Sequence, residues 1–346
     1  LGLRVDLQTV PAGNAYGSGE LVDVVNVIAW IPGTANTKAV LLVGHYDTFP
    51  TTPGGNDNSA AVATLLETAR AVRAGPPLAN DVVFLFTDGE EPSARYGANA
   101  FAAVPGLIDR IGLVVNFEAI GGGGASTLVE TSGPQSWLVG EFAAAAPTPT
   151  AFSFLTDMAD LMGEVGTDFD VFSRAGLPGM HLAYLRGSPI YHTSADDIGS
   201  VGRGSLQHHG SNALAIARRF GNMDLRATPE SGRSVFFTIR PFFVQYPAVW
   251  ALGLAGAAAI LFAWAVSGRR RPGGVSLIDL ARSGGTSALG VIAGAAAGTL
   301  VWVGLAALRP SPAIPEAYAY LAMVLLIGAV AALGVERVGR RSAPAR

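Results

Sequence analysis

The chain alternates apolar runs with polar breaks rich in Pro and Gly. The shorter runs are dense in Val, Ile, Leu and Phe: residues 22–30 (VDVVNVIAW), 39–43 (AVLLV), 81–87 (DVVFLFT), 111–117 (IGLVVNF) and 177–185 (LPGMHLAYL). Apolar on both faces and bounded by turn residues, they predict strands inside a covered sheet. Between them the spacing becomes helical. Residues 60–72 (AAVATLLETARAV) follow Asn58 or Ser59 as an N-cap. Further helices are expected over 98–103, 134–146 and 205–220. Strands alternating with helices predict an α/β fold, with a mixed, mostly parallel sheet flanked by helices. Residues 1–20 are polar and Gly-rich and predict no element.

After residue 240 the pattern changes. No charge occurs between Arg240 and Arg269, between Arg282 and Arg309, or between Glu316 and Glu336. Each interval can hold the roughly 20 apolar residues that span a bilayer. Transmembrane helices are expected near 247–266, 287–308 and 317–335, the Gly/Ala-rich middle one suited to close helix packing. The predicted division is a catalytic-type domain over 1–232 and a membrane domain over 233–346. Arg269, Arg270, Arg271 and Arg282 lie between the first two spans, and Arg337, Arg340, Arg341 and Arg346 follow the third, whereas the loop between the second and third has Arg309. The positive-inside rule then places the first domain outside the cytoplasm or in a lumen, with the lipid bilayer as a partner. The chain opens on Leu1 rather than Met, as expected of a fragment or a processed form.

Composition sharpens this picture. Half the residues are hydrophobic and 14% are charged, against about 25% in soluble domains, and the shortage falls on the C-terminal part. A net charge of −3 without a basic stripe excludes nucleic acid as a partner. There is no Cys, so any metal must be held by His, Asp and Glu.

Those residue types collect at predicted strand ends, where α/β folds place their sites. His45 and Asp47 share one face of an extended segment. Asp57 precedes the first helix, Glu90-Glu91 and Glu118 follow apolar strands, and Tyr191-His192 lies on a later loop. Singly, each reads as a solvated turn or loop residue. Together they supply two imidazoles and several carboxylates, a set that suits a pair of zinc ions. An all-oxygen Mg²⁺ or Ca²⁺ site would have little use for the histidines. His181, in an apolar run, is expected in the core. His208-His209, on an amphipathic helix, is expected at the surface. Gly121–Gly124 lacks the Lys-Ser/Thr of a phosphate loop and reads as a flexible loop.

The motifs resemble those of the co-catalytic zinc aminopeptidase family, which includes secreted bacterial aminopeptidases and glutaminyl cyclases. The resemblance rests on His45-Tyr46-Asp47, Pro53-Gly54-Gly55-Asn56-Asp57-Asn58-Ser59, Phe86-Thr87-Asp88-Gly89-Glu90-Glu91, Asn116-Phe117-Glu118 and Tyr191-His192-Thr193 with Asp196-Asp197. It covers roughly residues 20–220. Glu118, where secreted members usually carry Asp, is similar to the membrane-bound branch of endoplasmic reticulum metallopeptidases and vacuolar membrane proteases. The resemblance implies two Zn²⁺ ions: one held by His45 and Glu118, the other by Glu91 and His192, with Asp57 bridging. It implies Glu90 as general base, Asp47 as the carboxylate orienting His45, Tyr191 as an oxyanion donor, and Asp168 as an outer supporting group. The activity implied is that of a membrane-anchored aminopeptidase acting on peptides. Alternatives on the same fold are a single-zinc glutaminyl-peptide cyclase, or a non-catalytic receptor or scaffold. The latter would have lost metal ligands, whereas all five are present here.

Overall fold

The apolar runs form the middle of a sheet. In the computed structural model, which describes residues 1–13, 21–91, 94–163, 165–267 and 285, they are β2 (Leu21–Ile31), β3 (Ala39–His45), β4 (Val82–Thr87), β5 (Ile111–Ala119) and β7 (Gly179–Tyr184). Two strands not predicted complete it: β1 (Arg4–Gly13) and β6 (Thr127–Ser132). The order is β1-β2-β4-β3-β5-β7-β6. The neighbours β4, β3, β5 and β7 are parallel, β2 and β6 run antiparallel on either side of them, and β1 pairs antiparallel with β2 at the edge. β1 escaped prediction because, as an edge strand, it leaves Val5 and Leu7 exposed and needs no continuous apolar run.

Helices cover both faces. On one side α1 (Ser59–Ala74), α3 (Gln135–Ala145) and α6 (Arg203–Phe220) pack Leu65, Phe142 and Ile216 against Leu42, Phe84 and Val115. On the other, α2 (Tyr96–Ala102) and α5 (Asp168–Arg174) set Phe101 and Phe172 against Leu41, Val43, Leu85 and Val114. β3 is buried along its whole length, so it reads as a continuous apolar run. α4 (Ser153–Met162) packs beside β6.

A hairpin of β8 (Ser234–Ile239) and β9 (Phe242–Pro247) follows the sheet. Phe236 is fully buried in the larger core and Phe152 bridges to Phe237. The first compact unit accordingly runs over Leu1–Ala251, past the boundary expected at 232/233; the second is Leu252–Arg346. The first expected membrane span coincides with α7 (Trp250–Ser267), a helix without charged residues whose side chains are described as far as Leu261. Among the described residues no helix is long and apolar enough to cross a membrane. The spans expected at 287–308 and 317–335 lie outside the described residues.

His209 corrects an expectation. It is fully buried rather than at the surface. It belongs to the α6 stripe Ser205, His209, Asn212, Ala213 and Ile216, the face turned to the sheet. Its Nδ1 lies 2.7 Å from Ser126 Oγ. Burial, with His208 and His181 nearby, lowers its pKa to about 3, so it stays neutral.

Packing at α1 predicts a contrast between neighbours. Leu65→Ala, at a fully buried site, is expected to cost about 2–5 kcal/mol in chemical denaturation. Leu66→Ala, half-exposed on the same helix, should stay within about 0.5 kcal/mol.

Candidate metal centre

Three parallel strands end side by side. His45 closes β3 and pairs with Thr87 at the end of β4, and Glu118 lies one residue before the end of β5. His45 continues the face of Leu41 and Val43, and Glu118 that of Val114, so both emerge on the α2/α5 side. Asp57 stands just before α1, where the chain leaves the sheet. Glu90 and Glu91 follow β4, and His192 comes from the loop after β7.

Among the described residues these side chains form three overlapping groups of potential ligands, His45–Asp57–Glu118, Asp57–Glu91–His192 and His45–Glu90–Glu91, of which the first two share Asp57. His45 Nε2 lies 3.3 Å from Asp57 Oδ1 and 3.4 Å from Glu118 Oε2. His192 Nε2 lies 3.2 Å from Asp57 Oδ2 and 2.7 Å from Glu91 Oε1. Asp57 therefore turns one oxygen to each half. Its Oδ2 is buried without a well-formed hydrogen bond, as a metal-ligating oxygen would be.

Charge makes the same point. Asp57, Glu90, Glu91, Glu118 and Asp168 are all buried, with His45 and His192 as their cationic neighbours. Packing carboxylates so densely out of water is costly, and two divalent cations on neutral imidazoles would offset it. The buried carboxylates and imidazoles shift one another's protonation. Burial opposes charge on both histidines, yet Glu118, Asp47 and Asp57 hold His45 well above its usual pKa. Asp57 and Glu91 raise His192 to about 9. Burial would raise Asp57, but contacts with His192 and His45 bring it down to about 2. Burial, reinforced by Glu118, Asp168 and Glu91 against the pull of His45, raises Glu90 well above the carboxylate range.

Neighbouring groups hold the ligands in place. The Asp47 carboxylate accepts the backbone N–H of Glu90 at 3.2 Å and of Glu91 at 3.0 Å. His45 Nδ1 meets the Asp47 backbone oxygen at 3.0 Å and its Oδ1 at 3.5 Å. Asp47 thus ties the acidic turn to the imidazole rather than only orienting the ring. Asp168, at the start of α5, accepts Thr87 Oγ1 at 2.5 Å. Burial raises it to about 7, with Thr87 and His45 pulling down and Glu118 and Asp47 pushing up. The His192 ring is stacked between Phe49, 4.3 Å away, and Tyr191, 3.7 Å away. Burial and the surrounding carboxylates raise the Tyr191 hydroxyl, which stays protonated.

Asp196, part of the last motif but without an expected role, positions the Asn56–Asp57 backbone. Its carboxylate accepts the backbone N–H of Asn56 at 2.8 Å and of Asp57 at 3.0 Å, and Asn56 Nδ2 at 2.8 Å. Gly55 makes this approach possible, because a Cβ there would lie 2.6 Å from the Asp197 backbone. The ligands open onto a cleft of about 220 Å³ whose far wall includes Val129, Leu155, Met158 and Leu185. His181 is buried as expected, and it also lines this cleft.

A family model described as peptidase family M28 matches residues 26–217, more than half the chain. The chain belongs to peptidase family M28. It is 30% identical over 237 residues to endoplasmic reticulum metallopeptidase 1 of Rattus norvegicus, covering 65% of this chain and 26% of that protein. It is 29% identical over 223 residues to the vacuolar membrane protease of Candida dubliniensis, covering 64% of this chain and 24% of that one. The chain thus spans about a quarter of the length of these curated relatives. Among solved structures, a glutaminyl cyclase from an Acidobacteriales bacterium superposes with a TM-score of 0.50 at 22% identity, covering 63% of this chain and 80% of that one. At that identity the likeness is one of fold. The matched M28 segment contains every residue described above as a potential ligand.

Two measurements follow from this M28 site. Asp196→Ala removes the anchor of the Asn56–Asp57 backbone, and zinc affinity in a competition titration should fall about 10–100-fold. The second concerns pH. His192 titrates at about 9 when folded against 6.5 unfolded, so its contribution is complete below 6.5 and lost as pH rises through 9. The chelator-treated protein should therefore lose stability to denaturant across that window. The zinc-loaded protein, whose imidazoles are already neutral ligands, should not.

Proposed function

We infer that this M28 chain is a zinc-dependent aminopeptidase that removes N-terminal residues from peptides. The observation that carries the reading is the division of Asp57, one oxygen toward His45 and Glu118 and the other toward Glu91 and His192. It supports a two-ion centre with His45, Asp57 and Glu118 on one side and Asp57, Glu91 and His192 on the other. A pair of zinc ions there would make a bound water acidic near neutrality and polarise the scissile carbonyl.

The chain's own residues do the rest. Glu90 lines the cleft beside the ligands. Its raised pKa suits it to take a proton from the attacking water and hand it to the leaving amine. Asp47 fixes the backbone N–H groups of both adjacent glutamates, and Glu91 meets His192 Nε2 at 2.7 Å, which supports Glu91 as the ligand and Glu90 as the proton carrier. Tyr191 lines the same cleft with its hydroxyl protonated, placed to donate to the carbonyl oxygen as charge develops there.

The Arg-rich loops and the charge-free intervals after residue 240 support anchoring in a bilayer with the peptidase domain outside the cytoplasm or in a lumen. The names of the relatives, an endoplasmic reticulum metallopeptidase and a vacuolar membrane protease, accord with this.

The decisive experiment is hydrolysis of an aminoacyl-reporter panel by the full chain, with and without a chelator. Reporter release lost on chelation and restored by zinc is expected. Chelator-insensitive release, or cyclisation of N-terminal glutamine with one zinc per chain, would overturn the reading. Glu90→Gln should keep two zincs per chain and lose about 10²–10⁴-fold in turnover.

A further inference from the structure

The cleft has a polar end that the reaction does not use. β6 pairs Leu128 with Leu182 and Glu130 with His181, and its register shifts between Leu128 and Glu130. Leu128 lies in the core on the α3/α6 side. In a regular strand Val129 would face the cleft and Glu130 would turn back to that core. The bulge adds one residue, so Val129 and Glu130 both line the cleft. Glu130 is buried, and its neighbour is the His181 imidazole, with Nδ1 3.4 Å from Oε2. With the neutral ring's proton on Nδ1, facing that carboxylate, Nε2 is left as an acceptor. Nε2 is buried without a hydrogen-bond partner, on a side chain 2% exposed that lines the cleft. Val129, Leu155, Met158, Ala159 and Leu185 give the cleft an apolar wall, which Thr167 also joins.

A buried carboxylate and an unpartnered imidazole nitrogen at the end of an apolar pocket are costly unless a ligand meets them. Both are acceptors, so the group that meets them is a donor. The apolar wall requires the stem leading to it to be aliphatic. We propose that Glu130 and His181 select an N-terminal residue with a long aliphatic stem and a cationic end, lysine or arginine, over purely apolar residues. Glu130 receives the cation, His181 Nε2 takes a second hydrogen bond from it, and Leu155, Met158 and Leu185 pack on the methylenes. The proposal rests on the aminopeptidase reading for its role in turnover, but the pocket's preference can be measured without turnover.

The test compares lysinamide with norleucinamide, which carries a hydrogen where lysine has its ammonium. Binding of each to the zinc-loaded full chain is measured by calorimetry, beside the ratio of kcat/KM for lysyl and norleucyl reporters. Lysinamide is expected to bind about tenfold more tightly, the scale of one charge-assisted hydrogen bond. Glu130→Leu should bring the two to parity or reverse them, and Glu130→Gln, which keeps an acceptor of the same shape, should fall between. Thermal unfolding of both variants checks that they fold. If Glu130→Leu does not fold, the wild-type and Glu130→Gln ratios decide. Equal or tighter binding of norleucinamide by the wild type overturns the proposal. So does a ratio that Glu130 substitution leaves unchanged because both amides weaken together, which would mean that Glu130 binds the α-amine. If no reporter is cleaved yet lysinamide still binds selectively, the aminopeptidase reading falls and the pocket assignment stands.

Discussion

The structure depends on one carboxylate shared by two imidazoles. Asp57 sits between His45 and His192, which come from a strand end and a loop far apart in the chain, and it meets each with a different oxygen. Around it Glu90, Glu91, Glu118 and Asp168 are buried together. An apolar core could not hold that density of negative charge by itself. The pKa values show the tension: the histidines and Glu90 are driven up while Asp57 is driven down. Cations held by the two ligand groups that share Asp57 would relieve that tension.

Much of the surrounding architecture keeps that cluster from relaxing. The parallel strands deliver His45 and Glu118 to one edge at fixed spacing. The helix after Asp57 packs Leu65 into the core and fixes the turn from which the aspartate projects. Asp47 and Asp196 hold backbone N–H groups of the turns that carry the potential ligands, and neither joins a ligand group itself. They act on the site by removing the freedom of the ligands. Phe49 and Tyr191 do the same for the His192 ring by stacking.

Chemistry and selectivity sit on different devices. Of the potential ligands, His45 and Glu118 occupy the ends of regular strands, and Asp57, Glu91 and His192 come from the turns and loop beside them. The pocket beyond them is shaped by an irregularity, the bulge in β6 that turns both Val129 and Glu130 inward, and by α4 beside it. A bulge can change which side chain faces the cleft without moving the potential ligands, since β6 lies at the sheet edge and carries none of them.

The sequence by itself determined the central strands, the helices α1, α2, α3 and α6, and the residue types available to the site, whereas α4 and α5 appeared only in the structure. Fully covered strands must be apolar on both faces, helices must repeat their apolar face every 3.6 residues, and a chain without Cys can hold zinc only with His, Asp and Glu. Each of the five expected ligands lies at the strand end or loop where local pattern put it. What needed tertiary structure was everything set by pairing across the chain. Edge strand β1 and the β8–β9 hairpin carry no long apolar run, and β8–β9 shows itself only through Phe236 reaching the core. His209 looked solvated until helix phase turned it inward. Asp196 grips Asn56 from 140 residues away, a contact with no periodicity to reveal it. Glu130 faces the cleft because of a register shift, which is a property of two strands together and of neither sequence alone.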